Sequence, residues 1–264
     1  MTFTLKIAFL FLLGVKLLAV SAMADEPPMQ DNLDLKNSLT DSWPSPVDDQ
    51  ENHAYFLVDL LEHRWTDAQD DALRWDVFGW YGGDRNRLWV KSEGRQSTST
   101  NLGYAEVQAL YGRLISPFID LQVGVRHDLL WEDGSENSRS FGVVGFQGLA
   151  PYRFEIEPIF YISQDGDLSA RFTGTYDFFL TQRLIIQPRI EGNAALQEVK
   201  SFGIGSGLND SEIGLRLRYE ISREFAPYIG VTSGRSFGGT ASIVRAEGRE
   251  VSESSLVAGV RMWF

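Results

Sequence analysis

Residues 255–264 read SLVAGVRMWF. Taken in steps of two, Leu256, Ala258, Val260, Met262 and Phe264 form one apolar row, and Ser255, Val257, Gly259, Arg261 and Trp263 fill the other. Successive side chains of a strand point to opposite faces, so this is a two-faced strand that stops on an aromatic residue. A soluble strand can alternate in the same way. The balance is tipped because the sequence ends inside the strand, as the closing strand of a membrane barrel does, and begins with an export signal.

That signal is read over residues 1–24. Lys6 supplies the positive start, Ile7 to Val15 the apolar run, and Ala22-Met23-Ala24 the small-x-small pattern, with cleavage expected before Asp25. A retained membrane helix fits less well, because Lys16 interrupts a run shorter than the ~20 residues a span needs. Nothing later is long and apolar enough to span as a helix, so only strands could place this chain in a membrane.

The formal net charge is -12 with 43% hydrophobic residues, which draws no basic patch for nucleic acid. Cysteine is absent, which excludes disulfides, thiolate catalysis and Cys-ligated zinc. Without Lys6 and Lys16, 22 basic residues face 36 acidic ones, a charge of -14. Half of that excess lies in residues 25–53, where Asp25, Glu26, Asp31, Asp34, Asp41, Asp48, Asp49 and Glu51 meet Lys36 alone, among Pro27, Pro28, Pro44 and Pro46. Such an arm cannot bury enough apolar surface to fold by itself. It is either a solvated leader or a cation-collecting segment.

From Ala54 to Phe264 the chain is a series of alternating segments divided by turn signals, with no useful helical periodicity. Strands are expected near 54–65, 73–82, 87–96, 102–113, 118–128, 139–149, 152–162, 168–179, 183–194, 211–221, 225–235 and 254–264. These are about twelve, each close to the ~9 to 11 residues a tilted strand needs to cross hydrocarbon. Ile119, Leu121, Val123 and Val125 oppose Asp120, Gln122, Gly124 and Arg126; Ile213, Leu215, Leu217 and Tyr219 oppose Glu212, Arg216 and Arg218. One face would meet lipid and the other a polar lumen, whereas a soluble sandwich would bury the apolar rows against each other.

Connections are expected to alternate between short (83–86, 115–117, 150–151, 180–182, 222–224) and mostly longer (66–72, 96–101, 129–138, 195–210, 236–253), with 163–167 a brief exception. Barrels of the outer membrane have short periplasmic turns, long external loops and both termini inside. Trp75, Trp80, Tyr81, Trp89, Tyr111, Phe118, Tyr152, Phe178, Phe179, Phe225, Tyr228, Trp263 and Phe264 fall near strand ends, where aromatic girdles belong.

Here the chain resembles the outer-membrane copper resistance protein B family. The resemblance rests on WDVFGWYGGDRNRLWVKSEG (75–94), LYGRLISPFIDLQVGVRHD (110–128), GVVGFQGLAPYRFEIEP (142–158), TQRLIIQPRIE (181–191), GIGSGLNDSEIGLRLRYEISREFAPYIGV (203–231) and RAEGREVSESSLVAGVRMWF (245–264), almost all of the region after Ala54. It implies an outer-membrane β-barrel that helps bacteria withstand copper, surrounded by outer-membrane lipid and acting with periplasmic copper-binding and multicopper oxidase proteins. Many members of that family carry a segment rich in methionine and histidine before the barrel. Residues 25–53 offer only Met29 and His53. Soft Cu(I) takes thioether or thiolate ligands while Cu(II) accepts imidazole and carboxylate, so Cu(II) is the copper ion expected here.

Three histidines can be weighed. His127 shares parity with Ile119, Leu121, Val123 and Val125 and reads as a structural residue on the outer face. His53 and His63 flank the first strand. Asp59 and His63 share a face on a regular strand but stand about 13 Å apart, too far to hold one metal. A weak Cu(II) site is expected from His53 with Glu51 or Asp49, and less strongly from His63 with a carboxylate of the next strand such as Asp76. Parity over 54–65 is ambiguous, because Asp59 and Glu62 cannot both face inward without a bulge.

Inward parity falls on charges of both signs, among them Arg74, Asp76, Lys91, Glu93, Glu106, Asp120, Arg126, Glu155, Glu157, Arg171, Asp177, Arg189, Glu191, Glu212, Arg216, Arg218, Glu220 and Arg261. They read as a brace of ion pairs in a narrow lumen. Glu155 and Glu157 have no nucleophile beside them, and Gly203, Gly205 and Gly207 precede no helix and form no phosphate cradle. No catalysis is expected. The rival functions are a general diffusion channel for small solutes or ions and, less strongly, an outer-membrane phospholipase. The chain has no His-x-Ser pair for the latter.

Overall fold

Strands that alternate between apolar and polar satisfy their backbone in hydrocarbon only by closing a sheet on itself. The computed structural model shows that closure. It describes residues 51–67, 70–132 and 135–264, so the export signal over 1–24 and the arm up to residue 50 lie outside the described residues.

The strands are β1 (His53–Thr66), β2 (Ala72–Gly82), β3 (Asn86–Ser97), β4 (Gly103–Ser116), β5 (Ile119–Glu132), β6 (Ser135–Ala150), β7 (Phe154–Ser163), β8 (Leu168–Thr175), β9 (Phe178–Phe179), β10 (Leu184–Ala195), β11 (Gly207–Tyr219), β12 (Phe225–Ser236) and β13 (Ser252–Trp263). Neighbours pair antiparallel, and β1 pairs with β13 from Leu57↔Trp263 to Thr66↔Ser255, which closes the ring. Strands β8 and β9 both lie along β10, so they are one interrupted stave and the barrel has twelve. The interruption has a chemical cause. Tyr176 donates to the Pro188 carbonyl, but Pro188 has no N–H to return, and the ladder breaks there.

The closing strand has the expected parity: Leu256 is 57% exposed and Val257 is 0% exposed. The ambiguity in β1 is resolved by a bulge. Its register shifts between Val58 and Leu61, so Asp59 and Glu62 both face the lumen. Past that bulge the parity is inverted, and His63 falls on the outer face with Trp65, not on the face of Asp59.

Two expectations about the connections need correction. At the end opposite Phe264, the first four connections span only 67–71, 98–102, 133–134 and 164–167, the third because β5 and β6 run on beyond their expected limits. Only 196–206 and 237–251 are long. The second of these holds a helix, α1 (Gly238–Ala246), with Thr240, Ala241 and Val244 buried; two short turns leave too few repeats for a periodic signal. Loop 196–206 locks onto it. Gly205 donates its N–H to Thr240 Oγ1 (2.9 Å), Asn209 bonds both, and a Cβ on Gly205 would come within 2.3 Å of the Thr240 nitrogen.

The aromatic girdle is also partly redrawn. Tyr81, Tyr111, Phe118, Tyr152, Phe178, Phe179 and Phe264 are exposed toward the terminal end. Trp80, Trp89, Tyr228 and Trp263 instead turn inward, where the Tyr55 ring stacks on Trp80 (6.1 Å) and lies tilted against Trp263 (6.2 Å) and where Tyr228 bonds Glu62. Their parity with Asp76, Lys91 and Arg261 is what sends them inside. Trp75 lies flat on the outer wall, bonded to Ser92 Oγ at 3.2 Å; Gly94 leaves room for it, since a Cβ there would meet the indole at 2.2 Å.

Candidate functional site

The inward faces place like charges side by side. Asp76, Glu93, Glu106 and Asp128 are register partners in sequence across β2, β3, β4 and β5, and Glu191 is opposite Glu212. Directly opposed carboxylates repel, so the wall alone would be unstable. Arginines reaching across the lumen relieve it. Arg74 touches Glu93 (2.9 Å), Glu191 (2.8 Å) and Glu212 (2.8 Å); Arg171 touches Glu93 (2.8 Å) and Glu106 (3.0 Å). Arg126 takes Glu106 (2.8 Å) and Asp128 (2.5 Å).

On the opposite wall Glu62 accepts from Arg64, from both Nε and Nη2 of Arg216, and from Tyr228, all at 2.9 to 3.0 Å. Arg64 continues to Glu212 at 2.6 Å. The result is one unbroken plug from β12 to β5. Glu62, Arg64 and Arg216 are each 1% exposed, so the charges are desolvated and held by forked, charge-assisted bonds.

Nearer the terminal end, Arg189 pairs with Asp59 and Asp76, Arg261 with Asp59, Arg218 with Asp177, Lys91 with Glu157, and Arg87 with Asp120. A cavity of about 30 Å³ remains among Asp76, Lys91, Glu93, Glu106, Glu157 and Arg189. That is room for one or two waters. The ionic brace read from inward parity is therefore present, and it fills the lumen.

The expected metal ligands are not gathered. His53 begins β1 at the terminal end, exposed and opposite Gly82, with Glu51 exposed two residues earlier. Asp49 lies outside the described residues. His63 and Asp76 are separated by the barrel wall: His63 is outside, its ring 4.7 Å from that of Trp65, while Asp76 is inside under Arg189. The bulge in β1 is the reason. Among the described residues no group of three or more His, Cys, Asp or Glu side chains is arranged to hold a metal ion.

One contact escaped sequence reading. On the outer face His127 Nδ1 lies 3.0 Å from Ser140 Oγ, its register partner on β6. A nucleophile needs more than a histidine: a group to orient the ring and donors for an oxyanion. Here the neighbours on that face are Val107, Val125 and Leu129, and the backbone amides are committed to the sheet ladder. Only register across two strands could have revealed the pair, since the residues are not adjacent in sequence.

A closed antiparallel barrel of twelve staves, apolar outside and ionic inside, defines an outer-membrane β-barrel protein. The fold is similar to the NanC porin, with a TM-score of 0.51 at 12% identity over 77% of this chain and 98% of that one. Residues 52–264 match the family described as Copper resistance protein B precursor, and the chain belongs to that family. It is 41% identical to Copper resistance protein B of Escherichia coli over 90% of this chain and 78% of that protein. Identity to the Copper resistance protein B homolog of Pseudomonas syringae pv. tomato is 41% over 90% of this chain and 79% of that protein.

Proposed function

We propose that the barrel serves copper tolerance by binding or restricting copper at the cell envelope without conducting it. The observation that carries this is the ionic plug: the lumen carboxylates that could pass a cation from hand to hand are already held by Arg64, Arg74, Arg126, Arg171, Arg189 and Arg216. An incoming ion would have to displace a desolvated arginine from each. A general diffusion channel is disfavoured on the same ground. The terminal end, with its short turns, faces the periplasm in this reading, and copper-binding and copper-oxidising partners would meet it there.

Copper itself is taken as Cu(II), in a weak site formed by His53 with Glu51 or Asp49. An imidazole and carboxylates suit that ion, and both described ligands are exposed and unencumbered by the barrel. His63 could contribute only from the outer wall, without Asp76. No catalysis is assigned, because the outward His127 and Ser140 lack an orienting group and an oxyanion site. Titration of the purified protein with Cu(II), wild type against His53→Ala and His63→Ala, tests the site. Loss of binding in His53→Ala alone supports it, and unchanged binding in both variants removes it.

A further inference from the structure

The five turns at the terminal end share a feature that the function above does not use. Each has one exposed arginine in it or beside it: Arg85 between β2 and β3, Arg113 near the end of β4, Arg153 between β6 and β7, Arg183 between β9 and β10, and Arg223 between β11 and β12. Among the described residues the lumen arginines are paired with carboxylates, whereas none of these five is in a salt bridge. The exposed acids at this end are Glu51, Asp84, Glu155 and Glu224. The opposite end exposes Lys200, Arg235, Arg245 and Arg249 among a larger number of acids, and its basic residues do not recur at each connection.

The arrangement is a ring. Successive hairpins place the arginines two staves apart around the barrel, with a gap where β13 meets β1. Just inside the ring, on the lipid-facing wall, stand the exposed rings of Tyr111, Phe118, Phe154, Phe179 and Phe225. Aromatic rings of this kind settle at the headgroup level, which sets the guanidinium groups at the depth of lipid phosphates. One of the five turns is strained. Tyr152 (φ 65°) and Arg153 (φ 67°) are both left-handed without being glycine, and Tyr152 is 86% exposed. Such backbone is costly for a side chain with a Cβ and persists only where the surrounding structure fixes it.

We propose that the ring binds phosphodiester headgroups of the leaflet it faces and selects anionic phospholipid there. Arginine's planar fork matches phosphate oxygens two at a time. A soluble acidic protein would meet one side of the barrel, whereas lipid surrounds it, and a charge repeated at every hairpin fits the second case. The proposal rests on the reading that the terminal end lies at the inner leaflet.

The test is lipid selectivity of the refolded barrel in phosphatidylcholine vesicles containing spin-labelled phosphatidylglycerol or phosphatidylcholine. The variant carries Arg85, Arg113, Arg153, Arg183 and Arg223 all changed to Gln, and its folding is checked by heat-modifiable migration. A second variant, with Arg235, Arg245 and Arg249 changed to Gln at the other end, is the control. Wild type should prefer phosphatidylglycerol, the ring variant should lose that preference by about fivefold or more, the control should keep it, and added salt should weaken it. Equal preference in wild type and ring variant overturns the proposal, as does an equal loss in the control. If inorganic phosphate binds the detergent-solubilised barrel through these arginines while lipid preference stays unmoved, the ring is a soluble-anion site and the proposal fails. The vesicle assay is indifferent to orientation, so a reversed topology in cells would overturn the periplasmic reading and leave the lipid selectivity standing.

Discussion

Arg74 is the residue on which the plug converges, and replacing it with methionine gives a sharp prediction. It touches Glu93, Glu191 and Glu212 at 2.8 to 2.9 Å, and these come from β3, β10 and β11, so one side chain ties together three separate parts of the wall. Breaking a buried ion pair from one side costs about 3–5 kcal/mol, chiefly because a charge is left uncompensated. Here each carboxylate keeps a second arginine: Glu93 has Arg171 (2.8 Å), Glu212 has Arg64 (2.6 Å), and Glu191 has Arg189 (3.6 Å). The expected loss therefore sits near the lower limit, about 3 kcal/mol, a factor on the order of a hundred in the folding equilibrium. Urea unfolding of the refolded barrel, followed by tryptophan fluorescence, reads it as a lower midpoint. Arg74→Met combined with Glu212→Gln should recover part of the loss, since the pair is coupled. An Arg74→Met barrel that unfolds at the wild-type midpoint would refute the role given to the plug.

Phe264→Asp should impair insertion, because Phe264 exchanges backbone hydrogen bonds with Phe56 at the closing seam while its ring is 71% exposed on the lipid side; normal amounts of heat-modifiable barrel in the outer membrane would count against this. Tags at Glu136, Glu198 or Glu247 should be labelled on intact cells and tags at Asp84 or Glu224 should not, the reverse pattern inverting the topology. Asn209, a loop position by sequence alone, is buried against Gly205 and Thr240 and is a poor place for a tag. Purified protein should not release fatty acid from phospholipid, and hydrolysis abolished by Ser140→Ala would show that the His127 contact is catalytic after all.

Much of the fold was legible because a strand's period is two and lipid punishes a wrong face. The rows of β5, β11 and β13 and the ionic lining follow directly from parity. What stayed hidden depends on events that break the period or join distant strands. The bulge at Asp59 and Leu60 inverts the parity of His63, the stave of β8 and β9 is interrupted by a proline on its neighbour, and α1 is too short to register. The candidate copper site was less legible. Histidine and carboxylate can be found in a sequence, but whether they meet is a question of register and face, and for His63 and Asp76 the answer is that they do not. The contact of His127 with Ser140 was invisible for the same reason.

Under the proposed function copper is held at the barrel's surface and does not cross its lumen. The most direct measurement is Cu(II) entry into proteoliposomes loaded with a copper-sensitive dye, wild type beside Arg74→Met. Wild-type entry should be no faster than in protein-free vesicles. Rapid, saturable Cu(II) entry through the wild-type barrel would contradict it.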